Sequence, residues 1–122
     1  MDIIISNSSS KPIYEQIAEQ IKDAIVNGEL SEGSALPSIR SLANGLHVSV
    51  ITTKRAYSEL ESQGFLETVQ GKGSFVAGGN MQLIREERLR HIENLLDQAV
   101  QEARSANVTE DELREMLDLI LD

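Results

Sequence analysis

Cysteine is absent from this chain of 122 residues. That excludes a disulfide, a thiolate metal site and a thiol nucleophile. Histidine is scarce: His47 and His91 are too few and too scattered for a metal cluster or a nucleophile triad. No apolar run approaches the roughly 20 residues needed to span a bilayer. The first residues, MDIIISNSSS, have no cationic start and only a short apolar run, so no secretory signal is expected. The chain therefore reads as a soluble, cytoplasmic protein, one domain or one small domain with an appendage. No cofactor, no metal, no catalytic residue and no membrane partner are expected.

Positive charge is also in short supply. There are 20 acids against 11 Lys and Arg, a net charge of -9, which argues against bulk attraction to a polyanion. The distribution says something different. Residues 1 to 79 hold 6 cations and 9 acids, and residues 80 to 122 hold 5 cations and 11 acids. Residues 33 to 58 hold 3 cations and no acid. Within that window lies LPSIRSLANGLHVSVITTKRAY, with Arg40, Lys54 and Arg55. Such a patch can face a polyanion while the rest keeps the protein in solution.

Periodicity places the elements. In residues 11 to 28, Ile13, Ile17, Ile21, Ala24 and Ile25 share one helical face. Pro12 suits the first turn and Gly28 the position past the end. Residues 29 to 37 form a loop. Ser38 caps a short helix that buries Ile39, Leu42, Ala43 and Leu46. Ser49 caps a third helix, about residues 50 to 63, with Thr53, Ala56, Tyr57 and Leu60 inward and Ile51, Lys54, Arg55 and Ser58 outward. Strands at 65 to 69 and 74 to 78 flank Gln70-Gly71-Lys72-Gly73, a hairpin signal. Gly78-Gly79-Asn80 is a break.

A long helix is expected from 81 to about 105, with Leu89, Ile92, Leu96, Ala99 and Ala103 at seam spacing, in a coiled coil or a bundle. Thr109 to Glu112 is a capping box for a last helix striped with Leu113, Met116, Leu117, Ile120 and Leu121. These stripes expose more apolar surface than two short helices cover between themselves. Pairing with the tail of a second chain satisfies them; folding back onto the head is the alternative. The fold expected is mainly α with a small β-hairpin: a winged helix-turn-helix in residues 1 to 79, then a two-helix dimerisation tail in residues 80 to 122.

Residues 12 to 76 resemble the DNA-binding domain of GntR-family transcription regulators. The resemblance is carried by Gly28-x-Leu30, Gly33, Leu36-Pro37-Ser38-x-Arg40-x-Leu42-Ala43 and Val48-Ser49-x-x-Thr52. It continues through Ala56-Tyr57-x-x-Leu60, Gly64 and Gly71-x-Gly73-x-Phe75-Val76. The short tail is similar to that of the YtrA-type branch, which lacks larger effector domains. The resemblance implies a homodimer on a pseudo-palindromic double-stranded DNA operator, usually a repressor, and in this branch often beside ABC-transporter genes.

The DNA-facing set it implies is Ser38, Arg40, Ser49, Val50, Ile51, Thr52, Lys54, Arg55, Lys72 and Gly73. Arg40 offers a guanidinium fork for a phosphate or a guanine edge. Ser49 and Thr52 lie where backbone N–H groups and hydroxyls suit a phosphate, although capping alone also accounts for Ser49. Lys54 is an outward cation, and Arg55 is less regular in the family. Val50 departs from the polar or cationic residue that many relatives carry. With Ile51 it either meets thymine methyl groups or packs inward. His47 replaces a common Gly in the turn. Lys72 between Gly71 and Gly73 matches a wing tip. The tail is too small for an enclosed pocket of several hundred Å³ within one chain. A small-molecule effector is therefore expected, if at all, between domains or across the dimer. A protein-interaction adaptor built on the same fold is the alternative, consistent with the acidic total.

Overall fold

The computed structural model describes residues 1 to 122. The chain divides into two compact units, Met1–Arg85 and Glu86–Asp122. No helix is long and apolar enough to cross a membrane.

In the first unit, α1 (Ile13–Val26), α2 (Ile39–Leu46) and α3 (Val50–Ser62) precede an antiparallel hairpin of β1 (Leu66–Val69) and β2 (Gly73–Val76). Burial follows the expected stripes of α1 and α3 apart from half-buried Ile13, whereas in α2 only Ala43 is fully buried and Ile39, Leu42 and Leu46 are half-buried. Ile17, Ile21, Ala24 and Ile25 of α1 and Thr53, Ala56, Tyr57 and Leu60 of α3 are buried. Leu36, Phe65, Leu66 and Val76 complete the core. Each large apolar side chain fully withdrawn from water contributes roughly 1.5–3 kcal/mol, so this cluster is the main source of the head's stability. Pro12 is the N-cap of α1 rather than a member of its first turn, because its carbonyl accepts the first N–H bonds of the helix. Gly28, at φ 86°, turns the chain out of α1.

The hairpin differs at its edges from the strands read in the sequence. Phe65 precedes β1, its side chain in the core and its N–H on the carbonyl of Leu60. Gly73 opens β2 opposite Val69, and Ala77 and Gly78 lie beyond it. The expected loop before α2 also supplies a third edge. Ala35 bridges to Phe75, and Ser34 and Leu36 exchange backbone hydrogen bonds with Val76 and Ser74. Loop composition hides this pairing because a single bridge has no alternation to read.

The N-terminal segment is extended along α1. Gln20 and Gln16 each hold a peptide unit there as a neighbouring strand would: Gln20 donates to and accepts from Ile4, and Gln16 does the same for Ser6. Ile3 and Ile5 pack onto the core.

A long helix, α4, runs Met81–Ser105, and α5 runs Glu110–Leu121. The first compact unit continues past the Gly78-Gly79-Asn80 break to Arg85, because Leu83 and Ile84 at the start of α4 pack against its core. In the second unit the connection turns at Asn107, φ 57°, and Val108 donates to the carbonyl of Ala103. Thr109 then accepts from the Glu112 N–H while the Glu112 carboxylate accepts from the Thr109 N–H, the capping box expected there.

Ala103 is 7% exposed within its own chain, so α5 and the preceding turn already cover one position assigned to the partner-facing stripe. Ala99 and the larger members of the stripe remain exposed: Leu89, Ile92, Leu96, Met116, Leu117 and Ile120, with Leu113 half-buried. Leu121 of the stripe is exposed as well, as are Leu95 and Leu119 outside it. Between α4 and α5 lies a cleft of about 740 Å³, floored by Leu96, Ala99, Val100 and Leu113. Sequence length alone suggested that one tail encloses no such volume. The cleft is open rather than enclosed, with Leu96, Met116, Leu117 and Ile120 of its lining exposed.

Candidate nucleic-acid interface

Helices α2 and α3 are joined by His47, Val48 and Ser49, the plan of a helix-turn-helix. His47 adopts the left-handed conformation, φ 57° and ψ 42°, and its N–H closes the end of α2 on Ala43 and Asn44. It therefore serves as the cap that a glycine more commonly supplies.

Both helices begin with an uncompensated positive end. Ser38 accepts from Ser41 N–H at 3.0 Å, and Ser49 accepts from Thr52 N–H at 3.0 Å. Neither first turn contains an acid. The remaining N–H groups and the helix dipole are thus left for an external anion. The start of α5 differs, with Glu110, Asp111 and Glu112 in its first turn.

A hydroxyl relay follows from the same cap. Ser49 Oγ donates to Thr52 Oγ1 at 2.7 Å. Thr52 accepts through that oxygen, so its own proton points elsewhere and is available to an acceptor such as a phosphate oxygen. Capping and anion contact are compatible at Ser49.

Arg40, Lys54 and Lys72 are exposed and enter no ion pair. Elsewhere Lys11 pairs with Glu19, Arg90 with Glu87 and Arg114 with Glu110. For Arg40 and Lys54 the contrast follows from the sequence, since no acid lies between residues 33 and 58. Arg55 is placed differently. Its guanidinium lies over the Tyr14 ring, 3.8 Å from the centroid, so one face is occupied by α1 and only its edge N–H groups are left for another partner.

Neither Val50 nor Ile51 packs inward. Val50 is 43% exposed and Ile51 81% exposed, at the start of α3 beside Thr52 and Lys54. An apolar side chain this exposed beside cations suits a surface that meets both phosphates and base methyl groups. At the wing, Gln70, Gly71 and Lys72 form the turn, and Lys72 N–H donates to the carbonyl of Val69. Gly71 and Gly73 have φ of 80° and 114°, which side-chain-bearing residues rarely adopt, so the exposed Lys72 is flanked by bare backbone.

The residues assigned from the sequence thus lie on one compact unit, at two helix starts in contact and at a hairpin tip. Two contacts that organise them were not assigned. Tyr57 Oη donates to the Pro37 carbonyl at 2.7 Å, and Tyr14 stacks under Arg55. Each joins residues far apart in the chain, so no local spacing signals it. Tyr57 reads simply as a member of an apolar stripe.

Comparisons with known proteins agree with this geometry. The model of the family described as "Bacterial regulatory proteins, gntR family" matches residues 13–76. The HTH-type transcriptional repressor YtrA of Bacillus subtilis (strain 168) is 35% identical over 115 residues, covering 94% of this chain and 88% of that protein. The crystal structure of a transcriptional regulator from Oenococcus oeni superposes with a TM-score of 0.81 at 27% identity, covering 97% of this chain and 98% of the other. The AraR DNA-binding domain in complex with operator ORX1 superposes with a TM-score of 0.57 at 32% identity, covering 63% of this chain and 96% of that one. The chain belongs to the gntR family of bacterial regulatory proteins, with YtrA-type relatives, and is a transcriptional regulator with a winged-helix DNA-binding domain.

Proposed function

We propose that the protein is a cytoplasmic homodimeric repressor that binds a pseudo-palindromic operator. Each protomer lays α3 in a major groove, with half-sites about one helical turn, roughly 34 Å, apart. Arg40 and Lys54 bind phosphate or base edges. Val50 and Ile51 meet thymine methyls, Ser38, Ser49 and Thr52 hold backbone phosphates, and Lys72 with Gly73 reaches the neighbouring groove or phosphates. Arg55, steadied on Tyr14, donates to phosphate only through its edge.

One observation carries the reading: the unpaired cations stand beside two acid-free helix starts in a chain of net charge -9. A protein partner does not require that segregation, whereas a duplex does. Repression is supported by the repressor YtrA among its relatives. Dimerisation is supported by the exposed stripe Leu89, Ile92, Leu96, Ala99, Met116, Leu117 and Ile120, with Leu113 half-buried beside it.

Footprinting of the purified protein on genomic DNA from its own organism tests the proposal. The expected result is a protected site with two-fold symmetry, lost with Arg40→Ala and Lys54→Ala. Protection unchanged by both substitutions, or no protected site at all, contradicts it and favours an adaptor role.

A further inference from the structure

We propose that Tyr57 is a positioning residue for operator recognition: by donating to the Pro37 carbonyl it fixes the N-terminal end of α2, and with it Arg40, against the reading helix. The inference rests on the reading above in which Arg40 touches DNA. Tyr57 is 4% exposed, its ring in the core cluster with Leu36, Ala56 and Leu60. A buried phenol needs a partner for its hydroxyl, and here the partner is the Pro37 carbonyl at 2.7 Å. Burial also pushes its pKa up to about 12, so the hydroxyl stays a protonated donor at any physiological pH.

The carbonyl it holds is placed to matter. Pro37 directly precedes the Ser38 cap, and Arg40 lies within the first turn that follows. α2 is 8 residues long, and Ala43 is its one fully buried side chain. Ile39, Leu42 and Leu46 pack half-buried against the core and hold the helix on it, but none of them lies ahead of the helix start. The Ser38 cap is internal to α2 and cannot orient it. The N-terminal end is held in addition by the chain ahead of it: Leu36 is buried, its N–H donates to the Ser74 carbonyl, and the Pro37 carbonyl accepts from Tyr57. Only one helical turn separates that tie from the Arg40 guanidinium. A bidentate contact tolerates little displacement, so loosening the tie costs affinity through Arg40.

Tyr57→Phe keeps the ring and removes the donor. With a duplex carrying the footprinted site, at a temperature where circular dichroism shows every protein folded, the variant is expected to bind about fivefold to tenfold more weakly. In an Arg40→Ala background most of that loss should vanish, while in a Lys72→Ala background it should persist. Amide exchange at Ser41 and Leu42 should quicken in Tyr57→Phe, with Leu60 unchanged. Equal affinity of Tyr57→Phe and wild type overturns the proposal. So does a loss of equal size with and without Arg40, which marks a purely structural role. If Arg40→Ala alone binds like wild type, the DNA reading of Arg40 falls and this inference with it; if only Tyr57→Phe is silent, the DNA reading stands.

Discussion

Ile51 is the apolar residue of the proposed reading helix that is most exposed. A β-branched apolar side chain 81% exposed on a helix gains nothing from folding. In the proposed complex a thymine methyl supplies the missing contact. Burying a methyl-sized group is worth about 0.8 kcal/mol, close to fourfold in affinity. Replacing operator thymines by uracil should therefore weaken wild-type binding by about fourfold at contacted positions and leave Ile51→Ala insensitive. A titration in which wild type binds both duplexes equally removes Ile51 from the readout. Arg55 differs, because much of its role is internal. Arg55→Ala should lower the urea-unfolding stability of the head by about 0.5–1 kcal/mol through loss of the stack on Tyr14, and unchanged stability would show that the stack contributes nothing. From sequence, Arg55 differed from Lys54 only in being less regular in the family, because both lie on the outward half of α3. Only the fold brings Tyr14 beneath one of them. His47 was partly legible: its place in the turn where relatives carry a Gly left capping, phosphate contact or neither open, and the backbone angle shows the cap.

At the scale of elements, the helix starts were the most legible feature. Ser38, Ser49 and Thr109 each accept from a first-turn N–H, as their side-chain chemistry required. The apolar stripes of α1 and α3 were legible for the same reason: a 3.6-residue period needs no tertiary context. The bridge at Ala35 was not, since its partner Phe75 lies far along the chain. Removing a cap should be costly in both units. Ser49→Ala in α3 and Thr109→Ala before α5 are each expected to cost about 1 kcal/mol in thermal or denaturant unfolding. Thr109 carries a pH signature besides. Its backbone N–H, and then its hydroxyl, hold the Glu112 carboxyl below the ordinary 4.5. A lowered carboxyl pKa contributes stability that is fully present above 4.5 and is lost as pH falls through the folded-state value. The penalty of Thr109→Ala should therefore shrink in acid; a penalty that stays constant from neutrality into acid would contradict the capping-box account.

For the whole molecule, the division of labour follows charge and apolarity. The head keeps Arg40, Lys54 and Arg55 in one acid-free window, and the second unit carries surplus acids and exposed leucines. The sequence stripe anticipated that apolar surface. It misjudged Ala103, because a small residue at the turn is covered by its own helix pair before any partner arrives. A charge placed in the stripe should separate the protomers. Leu96→Glu or Leu117→Glu is expected to sediment as a monomer and to bind the two-fold operator about 100-fold more weakly, since linked half-site binding is lost. A variant that stays dimeric would move the interface elsewhere.

The central claim is that Arg40, Lys54 and Lys72 face phosphates. Its most direct test is the dependence of operator affinity on salt. The slope of log affinity against log salt should become shallower by about one for each phosphate contact removed in Arg40→Ala, Lys54→Ala and Lys72→Ala. A slope identical to wild type in all three would contradict it.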